Sequence, residues 1–263
     1  MTVHDARIHY ASWNAGEAGK PPLLLVHGFL AHSHWWDFIA PYLTERYRVF
    51  AIDLSGMGES GHRSSYSQDV WVDEIVQVAN ALGGGAVTLI GHSFGGARAV
   101  DACCRSPENF EKLIVIDSYL HFSDYSTRGK PYVPRGEDRI YDSLDTALSF
   151  YRLLPGQDAL PFVFQHLGRN SLRLKGNGWG WKFDERNLTA PRSEVDSSRL
   201  LAQLGVPTSL VYGEHSSVAT REQMARVAGL VPQCDGLVEI LESQHHIMAD
   251  QPLALIAALR SLA

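Results

Sequence analysis

"LIGHSFGGA", residues 89–97, sets a serine between two glycines where an apolar run gives way to a helix-like pattern. The run "AVTLI" (86–90) leads in, and "FGGARAVDACCRS" leads out until Pro107 stops it. Gly91, Ser93 and Gly95 spell G-x-S-x-G. In a strand–turn–helix context those glycines allow a turn sharp enough to project the serine hydroxyl beyond the carboxyl end of a sheet. Gly95, Gly96, Ala97 and Ala99 are small enough for the helix to sit close to that sheet, with its N-terminus aimed at an anion formed there.

Runs like "AVTLI" recur along the chain: "PLLLVHG" (22–28), "RVFAIDLSG" (48–56), "KLIVIDS" (112–118), "TSLVYGE" (208–214) and "LVEIL" (237–241). They are continuous rather than alternating, as strands buried on both faces are. Helical patterns such as "SHWWDFIAPYL", "SQDVWVDEIVQVANAL" and "TREQMARVAGL" separate them, so the connections are crossovers and the sheet is mostly parallel. The opening "VHDARIHYASW" alternates polar and apolar residues, which predicts an antiparallel edge strand. From about 119 to 200 the rhythm breaks. That stretch holds two short helical patterns and the aromatic "GNGWGWKFDERN", and an insertion of this length within an α/β pattern is expected to be a lid. The predicted organisation is a core of residues 1–118 and 201–263 with residues 119–200 as a helical cap.

The 263 residues, 45% of them hydrophobic, fill one compact unit with a substantial core. A formal net charge of −6 with both signs interspersed leaves no basic stripe to neutralise phosphates, which argues against nucleic acid as a partner. The N-terminus lacks a basic start followed by an apolar run, and no later segment approaches the roughly 18 uncharged apolar residues of a spanning helix. A cytoplasmic location and no membrane partner are therefore expected. Cys103, Cys104 and Cys234 offer neither a disulfide framework nor metal-ligand spacing and read as reduced thiols.

G-x-S-x-G alone is a weak signal, and its companions make it strong. "VHGF" puts His27 and Gly28 at the end of an earlier strand, where the N–H of Phe29 can pair with that of Phe94 as an oxyanion hole. "SQHHIMADQP" places histidines after the last strand and before a final helix. With "HGF", "DLSGMGES", "GHSFGG" and this histidine loop in order, the chain resembles the α/β-hydrolase superfamily along nearly all its length. The resemblance implies a mostly parallel sheet flanked by helices, with the cap between the sixth and seventh of the family's eight strands. It also implies that the histidine stands seven residues before a proline opening the last helix, which favours His245, before Pro252, over His246. "GMGESG" (56–61) matches a dinucleotide fingerprint, but "HRSSYS" follows where a helix must open, so no nicotinamide or flavin is expected.

The acid is the open question. Family members often carry an aspartate just after the seventh strand, yet "YGEHSSVAT" (212–220) offers only Glu214 and serines. A serine cannot take the role, because the group must be anionic to fix the histidine tautomer. Two candidates remain: Asp117, at the end of "LIVID", and Glu214 as the alternative.

A serine nucleophile suits acyl transfer to water, whereas epoxide-opening and haloalkane-opening relatives place an aspartate at position 93. The expected activity is hydrolysis of a small to medium carboxylic ester, with Ser93 attacking and His245 shuttling the proton, and with no metal or organic cofactor. Carbon–carbon bond hydrolysis and lactone hydrolysis use the same machinery and stay open, as does a non-catalytic binder. Trp36, Tyr119, Phe122 and Trp179 are candidates for a pocket that takes an apolar acyl or aromatic group. Oligomeric state is not legible.

Overall fold

A computed structural model describes residues 1–120, 139–190 and 197–263. Strands β1 (Thr2–Val3) and β2 (Ala6–Arg7) form a small antiparallel pair, followed by β3 (His9–Trp13), β4 (Pro22–Val26) and β5 (Arg48–Asp53). Between β4 and β5 the "SHWWDFIAPYL" segment forms two 3-10 turns, Ser33–Trp36 and Ala40–Leu43, instead of one helix. Pro41 at the start of the second turn has no N–H to continue an α-helical ladder from the first. Helix α1 (Gln68–Leu82) opens on Ser67, whose hydroxyl accepts from the Val70 amide, and stops at Gly83 with φ 62°. Then come β6 (Val87–His92), α2 (Phe94–Arg105) and β7 (Phe110–Ile116).

The segment after β7 holds α3 (Leu144–Leu148), α4 (Pro161–Asn170) and α5 (Ser197–Ala202). It also holds a hairpin of β8 (Leu172–Lys175) and β9 (Gly178–Trp181), closed by Gly176 at φ 59° and Asn177. This hairpin is the aromatic stretch that gave no strand run in sequence. The chain returns to the sheet with β10 (Thr208–Gly213), α6 (Arg221–Leu230) and β11 (Cys234–Ile240), and ends in α7 (Ile247–Asp250) and α8 (Pro252–Leu262).

The main sheet has seven strands in the order β11-β10-β7-β6-β4-β5-β3, all parallel to their neighbours except β3, the antiparallel edge. Because side chains alternate across a strand, successive residues feed opposite cores. Leu24 and Val26 of β4, with Leu113 and Val115 of β7, face the cluster covered by α1, α2 and α6. Leu23 and Leu25, with Ile114 and Ile116, face the cluster filled by Trp35 and Trp36 of the first 3-10 turn and by Leu255, Ile256 and Leu259 of α8. β4, β6, β7 and β10 end side by side, and the residues that follow them converge at one edge, where open parallel sheets place their sites. Among the described residues no helix is long and apolar enough to cross a membrane.

Candidate active site

Strand register does most of the positioning. His92 pairs with Ile116, and the Ser93 amide donates to the Ile116 carbonyl at 2.9 Å; one strand further, the Asp117 amide donates to Val211 at 2.8 Å. Ser93 and Asp117 thus stand on adjacent strand ends, and each takes a positive φ, 54° and 42°. Non-glycine residues rarely hold that conformation unless the surroundings enforce it. Around Ser93 the glycines are obligatory. A Cβ on Gly95 would meet the Val26 carbonyl oxygen at 2.7 Å, and one on Gly91 would meet the Gly96 Cα at 2.6 Å.

His245 lies between Asp117 and Ser93. Its Nδ1 is 2.7 Å from Asp117 Oδ1 and its Nε2 is 2.9 Å from Ser93 Oγ. A carboxylate only accepts, so Nδ1–H donates to Asp117 and the Ser93 hydroxyl donates to Nε2. Asp117 is fully buried, and two further donors hold it: the Gly213 amide to Oδ2 at 2.8 Å and the Ser216 hydroxyl to Oδ1 at 2.6 Å. Ser216 belongs to the "GEHSSVAT" stretch where no aspartate stands. Glu214 is placed elsewhere: it is exposed, and its Oε2 accepts the Glu242 amide at 2.9 Å. The fold therefore brings Ser93, His245 and Asp117 together and leaves the alternative acid outside.

The Phe29 and Phe94 rings lie 5.2 Å apart, so the segments carrying their amides are in contact. Among the described residues neither amide donates to a protein acceptor. His27, fully buried, braces this wall: its Nδ1–H donates to the Gly28 carbonyl at 2.7 Å and its Nε2 accepts the Leu54 amide at 3.1 Å. Burial holds its pKa below the ordinary imidazole value. Asp53 anchors the next turn by accepting from the Ser33 and Glu59 amides, and Gly58 leaves room for its carboxylate. "GMGESG" thus serves an aspartate-centred turn.

Four residues escaped sequence reading. His92, the variable residue within G-x-S-x-G, donates from Nε2 to the His245 carbonyl at 3.0 Å and ties the histidine loop to the elbow. Burial, then the neighbouring imidazoles His245 and His246, push its pKa well down. Trp35 stacks on His92 and meets His246 edge-on. Gln157, from the inserted segment, accepts the His246 amide at 2.7 Å, and Asp250 accepts the Gln244 amide at 2.8 Å and the Ser243 hydroxyl at 2.7 Å. Only His92 and Asp250 sit inside motifs the sequence already singled out.

Of the pocket candidates, Trp36 is fully buried in the core beneath the sheet; the second tryptophan of the 3-10 turn points inward, and its neighbour Trp35 faces the histidines. Trp179 packs on Tyr141, Ala147 and Leu172 and exchanges backbone bonds with Tyr141, inside the inserted segment's own small core. Tyr119 follows Asp117 by two residues and is partly buried. Phe122 lies outside the described residues. A hollow of about 800 Å³ lies on the inserted segment between Asp145 and Arg169, and Ser93, His245 and Asp117 do not line it.

A serine, a histidine and an aspartate in that strand context define the α/β-hydrolase architecture, and the protein's relatives agree. Residues 21–147 match the alpha/beta hydrolase fold family. Epoxide hydrolase 4 of Mus musculus is 40% identical, with 94% of this chain aligned to 73% of its length. An esterase of Mycobacterium tuberculosis is 27% identical over 92% of this chain and 82% of its own. The thioesterase domain from the curacin biosynthetic pathway superposes with a TM-score of 0.80 at 24% identity, covering 99% of this chain and 97% of that one. The chain belongs to the α/β-hydrolase family.

Proposed function

We propose that this protein is a serine hydrolase that cleaves a small to medium carboxylic ester through an acyl-enzyme. The observation that carries the reading is the continuous relay from Asp117 through His245 to Ser93, at 2.7 and 2.9 Å. Ser93 Oγ attacks the ester carbonyl as His245 Nε2 takes its proton, and the Phe29 and Phe94 amides receive the oxyanion. The imidazolium, stabilised by Asp117, returns the proton to the departing alkoxide. Water then repeats the sequence on the acyl-serine, releasing the acid and restoring Ser93.

Epoxide opening does not fit this nucleophile, although one relative carries that name. Attack by a serine hydroxyl on an epoxide carbon gives an ether with no carbonyl for water to attack, whereas a carboxylate gives an ester that water can hydrolyse. Residues 119–200 serve as the lid in this reading. Two contacts support that role: Gln157 grips the His246 backbone, and the Leu160 amide donates to the Ala249 carbonyl at 2.9 Å, both on the histidine loop side.

The test is steady-state hydrolysis of a short-chain nitrophenyl ester by the wild type and by Ser93→Ala, Asp117→Asn and Glu214→Gln. Ser93→Ala is expected to abolish turnover, Asp117→Asn to lower kcat by about 10⁴, and Glu214→Gln to change it less than about threefold. A collapse in Glu214→Gln with Asp117→Asn intact would overturn the assignment of the acid. Failure of a fluorophosphonate to label Ser93 in folded protein would point to a non-catalytic binder.

A further inference from the structure

Away from Ser93, two imidazoles converge on one carboxylate oxygen where the inserted segment meets the core. His34 Nδ1 lies 2.9 Å and His166 Nε2 lies 2.7 Å from Asp37 Oδ2, and the three candidate ligand atoms are all within 4.8 Å of one another. Backbone geometry explains the meeting. His34 and Asp37 are three residues apart on the 3-10 turn Ser33–Trp36 and its cap, and in a 3-10 turn such side chains eclipse. His166 sits in α4, its ring held edge-on by Phe38 at 5.0 Å and by His34 at 6.1 Å. Asn170 Nδ2 is 3.4 Å from the same His166 nitrogen.

We propose that His34, Asp37 and His166 form a binding site for a divalent transition-metal ion of the zinc type, which clasps α4 of the inserted segment to the core. Two imidazole nitrogens and one carboxylate oxygen make a donor set that suits zinc and its neighbours and disfavours magnesium and calcium, which select oxygen ligands. Tetrahedral ligands about 2.0–2.1 Å from zinc lie roughly 3.3 Å from one another, so the two imidazole–carboxylate pairs, at 2.9 and 2.7 Å, must each open by about half an ångström. Side chains that are 33%, 26% and 32% exposed have room for that shift and leave the fourth position to water. Another trio, His92, His245 and His246, also lies close together, but all three are buried and His245 is already engaged on both ring nitrogens. The partly exposed trio is therefore the better host.

The experiment is zinc titration of tag-free full-length protein against a chromophoric zinc chelator, with thermal unfolding recorded with and without zinc. Wild type is expected to take up one zinc ion and to gain Tm. His34→Gln and His166→Gln are expected to weaken binding by at least about 100-fold and to lose the Tm gain, since even outer-shell changes at metal sites cost 10–100-fold. Retained ester turnover in His166→Gln, or an unchanged near-ultraviolet circular dichroism spectrum if turnover is absent, verifies that it is folded. His246→Gln is expected to bind zinc as wild type does. Wild-type affinity in both His34→Gln and His166→Gln, loss of binding only in His246→Gln, or no zinc uptake by the wild type would each overturn the proposal, whatever the outcome of the ester assay.

Discussion

Replacing His246 with glutamine will flatten the acid side of the stability curve. His246 is 4% exposed, neither ring nitrogen has a hydrogen-bond partner among the described residues, and burial lowers its pKa to about 3. His245 adds repulsion, the carbonyls of Pro155 and Leu154 act the other way and favour the cation, and His92 also faces the ring. Asp250 is linked to the His246 backbone through Gln157, which bonds to both, and its carboxylate also accepts from the Gln244 amide and the Ser243 hydroxyl. In the unfolded chain the imidazole titrates near 6.5. Between pH 6.5 and about 3 the unfolded state therefore binds a proton that the folded state refuses, so stability falls as pH falls through that window. Linkage with these two values puts the loss between pH 7.5 and 5.0 at about 2 kcal/mol from this residue. Urea unfolding of wild type and His246→Gln at both pH values measures it, because other titrating groups cancel in the difference between the two proteins. The gap between their unfolding free energies should shift by about 2 kcal/mol in favour of the variant on going to pH 5.0. Parallel pH profiles would refute the reasoning and mean that the buried ring accepts a proton without penalty.

Gly95→Ala drives a methyl group into the Val26 and His27 carbonyls and displaces the loop bearing Phe29; kcat/KM for a nitrophenyl ester should fall by about 10²-fold or more, with steady-state kinetics as the check. Arg63→Leu strands Glu74, a fully buried carboxylate whose bonds to Arg63 are 2.9 and 3.1 Å. Chemical unfolding at pH 7 should show a loss of about 3–5 kcal/mol, and a loss below about 1 kcal/mol would mean that the carboxylate is satisfied without the guanidinium.

Legibility in the sequence followed the range of the interactions. The inner strands were readable because burial on both faces leaves unbroken apolar runs such as "PLLLV", and Ser93 was readable because its turn demands glycines at fixed offsets. The β8–β9 hairpin was not, since "GWGW" carries glycines where strand formers are expected, and its tryptophans pack on residues distant in sequence such as Tyr141 and Tyr151. Trp36 lies wholly within the core while Trp35 beside it reaches His92 and His246, a difference that composition alone does not reveal. Gln157 acts across 89 residues, and His34 and His166 meet across 132, a pairing without local pattern.

The position of the proposed acid follows from the strand order. β7 lies between β6 and β10, so a carboxylate at the end of either β7 or β10 can approach a histidine facing Ser93. Asp117 occupies that point, and the β10 loop supplies donors to it, the Gly213 amide and the Ser216 hydroxyl. A carboxylate at position 216 would crowd Asp117 in a buried site, where two adjacent acids cannot both ionise. Ser216→Asp alone should therefore raise a folded-state carboxyl pKa above its unfolded value. The stability linked to that group is present at acid pH and lost as pH rises through the raised pKa, by about 1.4 kcal/mol for every tenfold weakening of the acid. Combined with Asp117→Asn, the same substitution restores a single anion beside His245, and kcat should recover at least about tenfold over Asp117→Asn alone, a fraction of the 10⁴ that the acid supplies. A double variant no faster than Asp117→Asn would mean that the β10 loop cannot deliver a carboxylate to Nδ1, and that its serine is there only to hold Asp117 in place.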